Sequence, residues 1–88
     1  MIELIDFYAD WCGPCQPMKP IIEEIEKEMQ DSLRVTKVDV DQNQEMASKY
    51  GVMSIPTLII LKNGEETDRL VGAVGKDTLV QKIKANVS

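Results

Sequence analysis

Ile2-Glu3-Leu4-Ile5-Asp6-Phe7-Tyr8-Ala9 runs into Asp10-Trp11-Cys12-Gly13-Pro14-Cys15, and this junction organises everything that follows it. The first eight residues are apolar and β-forming, and so dense a run predicts a central strand covered on both faces. Asp10 to Pro14 reads as a turn entering a helix. On that helix Met18, Ile21, Ile22, Ile25 and Met29 fall at helical spacing and form one apolar stripe. Pro14 suits a first helical turn. Pro20 does not, because it withholds a backbone donor, and a kink is predicted near the first third of the helix.

The two cysteines are three positions apart, too close to staple distant parts of a fold. A bare Cys-x-x-Cys admits two reduced cysteines packed in a core, or half of a metal site. The Gly13-Pro14 insert, the preceding Trp11 and the strand-to-helix setting point instead to redox chemistry. That chemistry needs a thiolate nucleophile and a second thiol to resolve the mixed disulfide. At the predicted helix start, Cys12 meets unpaired N–H groups and the positive end of the helix dipole, which lower a thiol pKa. Cys15, inside the first turn and more buried, stays protonated until it attacks. Trp11 presents a large flat surface beside the nucleophile.

Residues 1–88 suffice for one domain. A domain this short buries only about 60–65% of its unfolded surface. Hydrophobic residues at 43% and charged residues at 28% give a globular composition rather than a disordered one. No apolar run approaches the roughly 18 residues of a membrane span. The start, Met1 to Asp6, has neither a basic leader nor a small-residue cleavage site, so a cytoplasmic location is expected. A formal charge of −5 argues against a nucleic-acid partner. The absence of histidine excludes Ser-His and Cys-His catalysis and any histidine-ligated metal.

Further along, Leu33, Val35 and Val38-Asp39-Val40 mark a second strand, parallel to the first through a right-handed crossover. Asp41-Gln42-Asn43 caps a short helix over about residues 43–50, ended by Gly51. Thr57 to Leu61 is a third strand, Asn63-Gly64 a hairpin signal, and Thr67 to Val71 a fourth strand. Leu79, Val80, Ile83 and Val87 give a closing amphipathic helix. The order is βαβαββα, an α/β fold. Asp39-Val40-Asp41-Gln42-Asn43 imitates a calcium loop, but Gln44 and Tyr50 stand where that loop needs glycine and glutamate. Asp6 is unusual between Ile5 and Phe7, because charge in a central strand is costly to bury. It either faces water at a strand edge or is buried with a raised pKa.

The set Asp6 to Cys15, Pro20, Lys37, Asp39, Asp41, Tyr50-Gly51-Val52, Ser54-Ile55-Pro56-Thr57, Lys62-Asn63-Gly64 and Val71-Gly72-Ala73 runs through almost the whole chain. In these residues and their order the sequence resembles the thioredoxin family. The resemblance implies the thioredoxin fold, here a minimal four-stranded mixed sheet flanked by three helices. It implies a thiol-disulfide oxidoreductase that reduces protein disulfides with Cys12 as nucleophile and Cys15 as resolving thiol. No cofactor or metal is implied beyond the reversible Cys12–Cys15 disulfide. The partners implied are disulfide-containing protein substrates and a thioredoxin reductase. Asp6 becomes the buried carboxylate behind Cys15 that takes its proton, and Lys37 on the neighbouring strand moderates the shift in its pKa. Ile55-Pro56 becomes a cis peptide facing the cysteines, whose backbone pairs with an extended substrate. Trp11, Gly13, Pro14, Ile55, Pro56, Val71, Gly72 and Ala73 form a flat apolar rim that receives the target.

Three departures from the family stand out. The family usually carries a further strand and helix before the strand that begins here. The second strand (about 33–39) is then a sheet edge and one face is covered only by the helix at 43–50, which invites weak self-association of a monomer. Tyr8 stands where well-known members carry a second tryptophan, and Gln16 where a basic residue is common. Two other functions compete with disulfide reduction: a dimer binding zinc or an Fe–S cluster through four thiolates, and a non-redox structural subunit.

Overall fold

Strand β1 (Ile2–Tyr8) lies inside the sheet, as its density of apolar residues requires. A computed structural model describes residues 1–87. After β1 come α1 (Met18–Glu28), β2 (Leu33–Asp39), α2 (Gln44–Lys49), β3 (Thr57–Lys62), β4 (Glu65–Val71) and α3 (Lys76–Val87). The four strands form one mixed sheet in the order β2-β1-β3-β4. β1 pairs with β2 in parallel and with β3 antiparallel, and β3 pairs antiparallel with β4. This is the predicted βαβαββα arrangement, with β2 at the edge.

Alternation along β1 sends Ile2 and Leu4 to one face and Ile5 and Phe7 to the other. On the first face Ile2 and Leu4 meet Met18, Ile22 and Ile25 of α1 and Leu79 and Ile83 of α3. The second face is thinner. Ile5, Phe7, Val38, Ile59 and Leu61 are covered there by Met46 and Ala47 of α2 and by Tyr50, Val52 and Ile55 beyond it. Helix α2 has only 6 residues and none is fully buried, so its end is secured by its cap. The Asn43 side chain accepts from the Met46 N–H at 3.2 Å, and Gly51 leaves the helix at φ 64°. The β3–β4 turn places Asn63 and Gly64 at φ 53° and 85°, the two-residue hairpin expected from that pair. The hairpin then pairs from Glu65, so β4 begins two residues before the predicted Thr67.

The main correction concerns the first helix. It begins at Met18, after Pro17, rather than within the Cys-x-x-Cys segment. Pro14, Pro17 and Pro20 recur every three residues. Pro17 and Pro20 have no N–H to give to Gly13 and Gln16, so α-helical bonding cannot start there. The chain bonds three residues back instead: Gln16 N–H to Gly13 O, Met18 N–H to Cys15 O and Lys19 N–H to Gln16 O, at 3.1–3.2 Å. Pro20 is the third residue of α1, where a missing donor breaks no intrahelical bond, so the predicted interior kink does not arise. Among the described residues no helix is long and apolar enough to cross a membrane.

Because α2 buries so little, its cap should matter to the whole fold. Asn43→Ala is expected to lower the unfolding free energy by about 1 kcal/mol. Ile60→Ala, in the first core layer, is expected to lower it by about 2–5 kcal/mol. Urea melts followed by circular dichroism measure both, and an unchanged midpoint for Asn43→Ala would mean that packing alone holds α2.

Candidate active site

Cys12 and Cys15 are joined in a disulfide with their Cα atoms 5.3 Å apart. The turn that replaces a helix start brings them together. Cys12 N–H donates to Ala9 O at 3.2 Å, ending the strand, and Cys15 N–H points at Cys12 Sγ, also at 3.2 Å. A backbone donor aimed at that sulfur is the local counterpart of the predicted helix terminus, and it favours negative charge on Cys12. The two cysteines are almost equally buried, at 3% and 2% exposure, so the expected greater burial of Cys15 amounts to very little. They pack with Ala9 against Tyr8, Val40 and Ile55. Gln16, read from sequence only as a lost positive charge, donates to Asp10 O and Cys12 O, both at 3.2 Å, and so ties the loop together.

Trp11 is 71% exposed, yet its indole is fixed in place. Nε1–H donates to Asp41 Oδ2 at 2.7 Å, and the Asp41 N–H is bound in turn by Asp39 Oδ1 at 2.9 Å. From the sequence Asp41 reads as part of the cap of the short helix. Its link to Trp11 spans 30 positions, and the only sequence signal for it was the acidic Asp39-Val40-Asp41 following a strand. Trp11, Val40, Ala47, Val52, Met53 and Ile55 line an apolar groove of about 360 Å³. Met53, not foreseen in the sequence, is 97% exposed on this groove.

The Ile55–Pro56 peptide is cis. Ile55 touches the cysteine cluster directly. Gly72 N–H donates to Pro56 O at 2.8 Å, which brings the end of β4 beside Pro56, and Gly72 adopts φ 97° to do so. Val71 and Ala73 are exposed on either side of it, and Gly13 and Pro14 are exposed beyond the cysteines. Pro56 itself is buried. The sequence-derived rim residues are thus brought to one end of the sheet.

Asp6 is 5% exposed, which settles its position as buried rather than at a watery edge. Its side chain lies on the face of β1 shared with Leu4, the face α1 covers. Burial pushes its pKa up to about 6 from an ordinary 3.8, with Lys37 acting in the opposite sense. Lys37 is the register partner of Asp6 on β2 and is exposed. Tyr8 also ionises less readily than usual, first through burial and then through Asp39, Asp10 and Asp6. Asp6, Tyr8, Asp10, Lys19, Glu23 and Lys37 line a polar cleft of about 180 Å³. Among the described residues no group of three or more His, Cys, Asp and Glu side chains is placed to hold a metal ion.

The Thioredoxin family model matches residues 1–85. The chain is 49% identical over 86 residues to thioredoxin of Bacillus subtilis (strain 168), covering 98% of this chain and 83% of that protein. It is 46% identical over 84 residues to thioredoxin of Rickettsia bellii (strain RML369-C), covering 96% and 80%. Among solved structures, a mutant thioredoxin from Halobacterium salinarum NRC-1 superposes with a TM-score of 0.91 at 42% identity, covering 99% of this chain and 75% of that one. Fasciola hepatica thioredoxin superposes at 0.89 with the same identity, covering 96% and 79%. With a linked cysteine pair at the end of a thioredoxin-like sheet and relatives near half identity, this chain belongs to the thioredoxin family of thiol-disulfide oxidoreductases.

Proposed function

We propose that this thioredoxin reduces disulfides of proteins whose chain lies in extended form across Trp11 and Ile55-Pro56. The observation that carries this reading is the disulfide at Cys12 and Cys15, packed against Ile55 of the cis Ile55–Pro56 peptide. The Cys12 thiolate attacks one sulfur of the target and forms a mixed disulfide, with the Cys15 N–H supporting its charge. Cys15 gives its proton to Asp6 and attacks Cys12, which frees the reduced target and leaves the Cys12–Cys15 disulfide. Lys37 limits how far burial raises the pKa of Asp6, so the carboxylate form is available near neutral pH. Gly13, Pro14, Val71, Gly72 and Ala73 widen the docking rim around Trp11, Ile55 and Pro56. A thioredoxin reductase returns the disulfide to the dithiol. A dithiol that cycles through a disulfide suits a reducing compartment, and we place the protein in the cytoplasm.

Wild-type protein is expected to accelerate insulin reduction by dithiothreitol, read as turbidity, and Cys12→Ser to remove the acceleration. Equal acceleration by the variant would contradict the scheme.

Asp6 also links the mechanism to stability. Its folded pKa of about 6 lies above the ordinary 3.8, so between these values the folded chain holds a proton the unfolded chain has lost. Stability therefore falls as pH rises through that window. Once Asp6 is fully ionised, the loss amounts to about 3 kcal/mol. Asp6→Asn is expected to be more stable than wild type by up to that amount near pH 8 and equal to it near pH 3.5, while releasing reduced target more slowly. Denaturant melts across this range check the first part, and a constant difference at all pH values would contradict it.

A further inference from the structure

Four of the five methionines have an evident place in the chain, and Met53 does not. Met18 is buried in the layer under α1, and Met29 and Met46 are half-buried against the two core faces, where a flexible thioether fills gaps. Met1 opens the chain. Met53 is 97% exposed and so contributes almost nothing to packing within the fold. Its backbone is nevertheless held on both sides. The Val52 N–H donates to Ala47 O at 2.9 Å, Ser54 O accepts from the Thr57 hydroxyl at 2.5 Å, and the cis Ile55–Pro56 peptide follows. A thioether is thus presented to water from an ordered segment, on the groove that also presents Trp11.

We propose that Met53 is an oxidation site, at which a hydroperoxide forms methionine sulfoxide and thereby weakens the docking of target proteins. The inference rests on the reading that targets lie across Trp11 and Ile55-Pro56. The thioether sulfur attacks the terminal peroxide oxygen. An S–O bond forms, the O–O bond breaks, and the departing oxygen takes the peroxide proton and leaves as water or an alcohol. Sulfur loses two electrons and the peroxide gains them. The cysteines decide when this happens, because a thiolate reacts with peroxide in preference to a thioether. With Cys12 and Cys15 joined, the chain has no free thiol to consume the oxidant. Oxidation of Met53 therefore follows accumulation of the disulfide form.

The effect on docking follows from the change in polarity. Oxidation turns an apolar side chain into a polar, chiral one whose oxygen is a hydrogen-bond acceptor. Among the residues lining the groove, Val40, Ala47, Val52 and Ile55 offer no side-chain donor, and the Trp11 N–H is already given to Asp41. The Ser54 hydroxyl is the side-chain donor that remains. A target that covers Met53 strips water from the sulfoxide oxygen and leaves it poorly partnered, which costs affinity. Met1 supplies an internal control. It is 73% exposed, but its amino group and carbonyl both bond to Asn63, at the end of the sheet away from Pro56.

The test treats the disulfide form with hydrogen peroxide, removes the oxidant, reduces the cysteines with dithiothreitol and maps sulfoxide by mass spectrometry. Second-order rate constants are then measured for reduction of insulin and of dithiodipyridine, a disulfide too small to span the groove. Sulfoxide is expected at Met53 and Met1. The insulin constant is expected to fall roughly tenfold, the order set by one polar group left unsatisfied under an interface. The dithiodipyridine constant should hold. Methionine sulfoxide reductases acting on both epimers should return the insulin constant to its untreated value. Met53→Leu, compared treated against untreated, should lose nothing although Met1 is still oxidised. An unchanged insulin constant with Met53 oxidised overturns the proposal, and so does a Met53 that resists peroxide. Equal loss in Met53→Leu, or equal loss toward dithiodipyridine, overturns it as well. If Trp11→Ala reduces insulin as fast as wild type, the docking surface lies elsewhere and the reading beneath the inference fails instead.

Discussion

A single backbone N–H, that of Cys15, directed at the sulfur of Cys12 from 3.2 Å, is the contact on which the chemistry of this protein depends. Sulfur becomes a nucleophile only as thiolate, and a free thiol near neutral pH is mostly protonated. Something must hold the charge, and the Cys15 N–H is a donor already directed at this sulfur. The turn from Cys12 to Lys19 sets that donor in place, in a geometry that three prolines enforce by preventing a regular helix.

From that contact the rest of the architecture follows in layers. β1 leads through Ala9 to the turn that carries Cys12, and it places Asp6 in the interior four residues before Asp10. α1 and α3 bury the strong core on one face, which allows a charged group to be carried within it. The opposite face is covered by a short capped helix and the segment leading to Pro56. That thin cover leaves room for an apolar groove at the cysteine end, where Trp11 is held to Asp41 rather than packed inside.

Local structure is legible in the sequence where one interaction dominates. The apolar runs in β1 and β3, the Asn43 cap, Gly51 and the Asn63-Gly64 turn each act within a few residues, and each is present. The start of α1 is not legible from Pro14 or Pro20 taken singly, because the period of three with Pro17 decides the hydrogen bonding. What chain pattern could not supply were contacts between distant positions. Trp11 meets Asp41 and Gly72 meets Pro56 through the sheet, and no local preference announces either. The buried position of Asp6 belongs to the same class, since burial is a property of the packed whole.

The most direct measurement is the rate of alkylation of Cys12 as a function of pH in the reduced Cys15→Ser protein, where the backbone donor remains and the second thiol cannot interfere. The account predicts an apparent Cys12 pKa clearly below the ~8.5 of free cysteine. Ionisation at or above the free-cysteine value would contradict it.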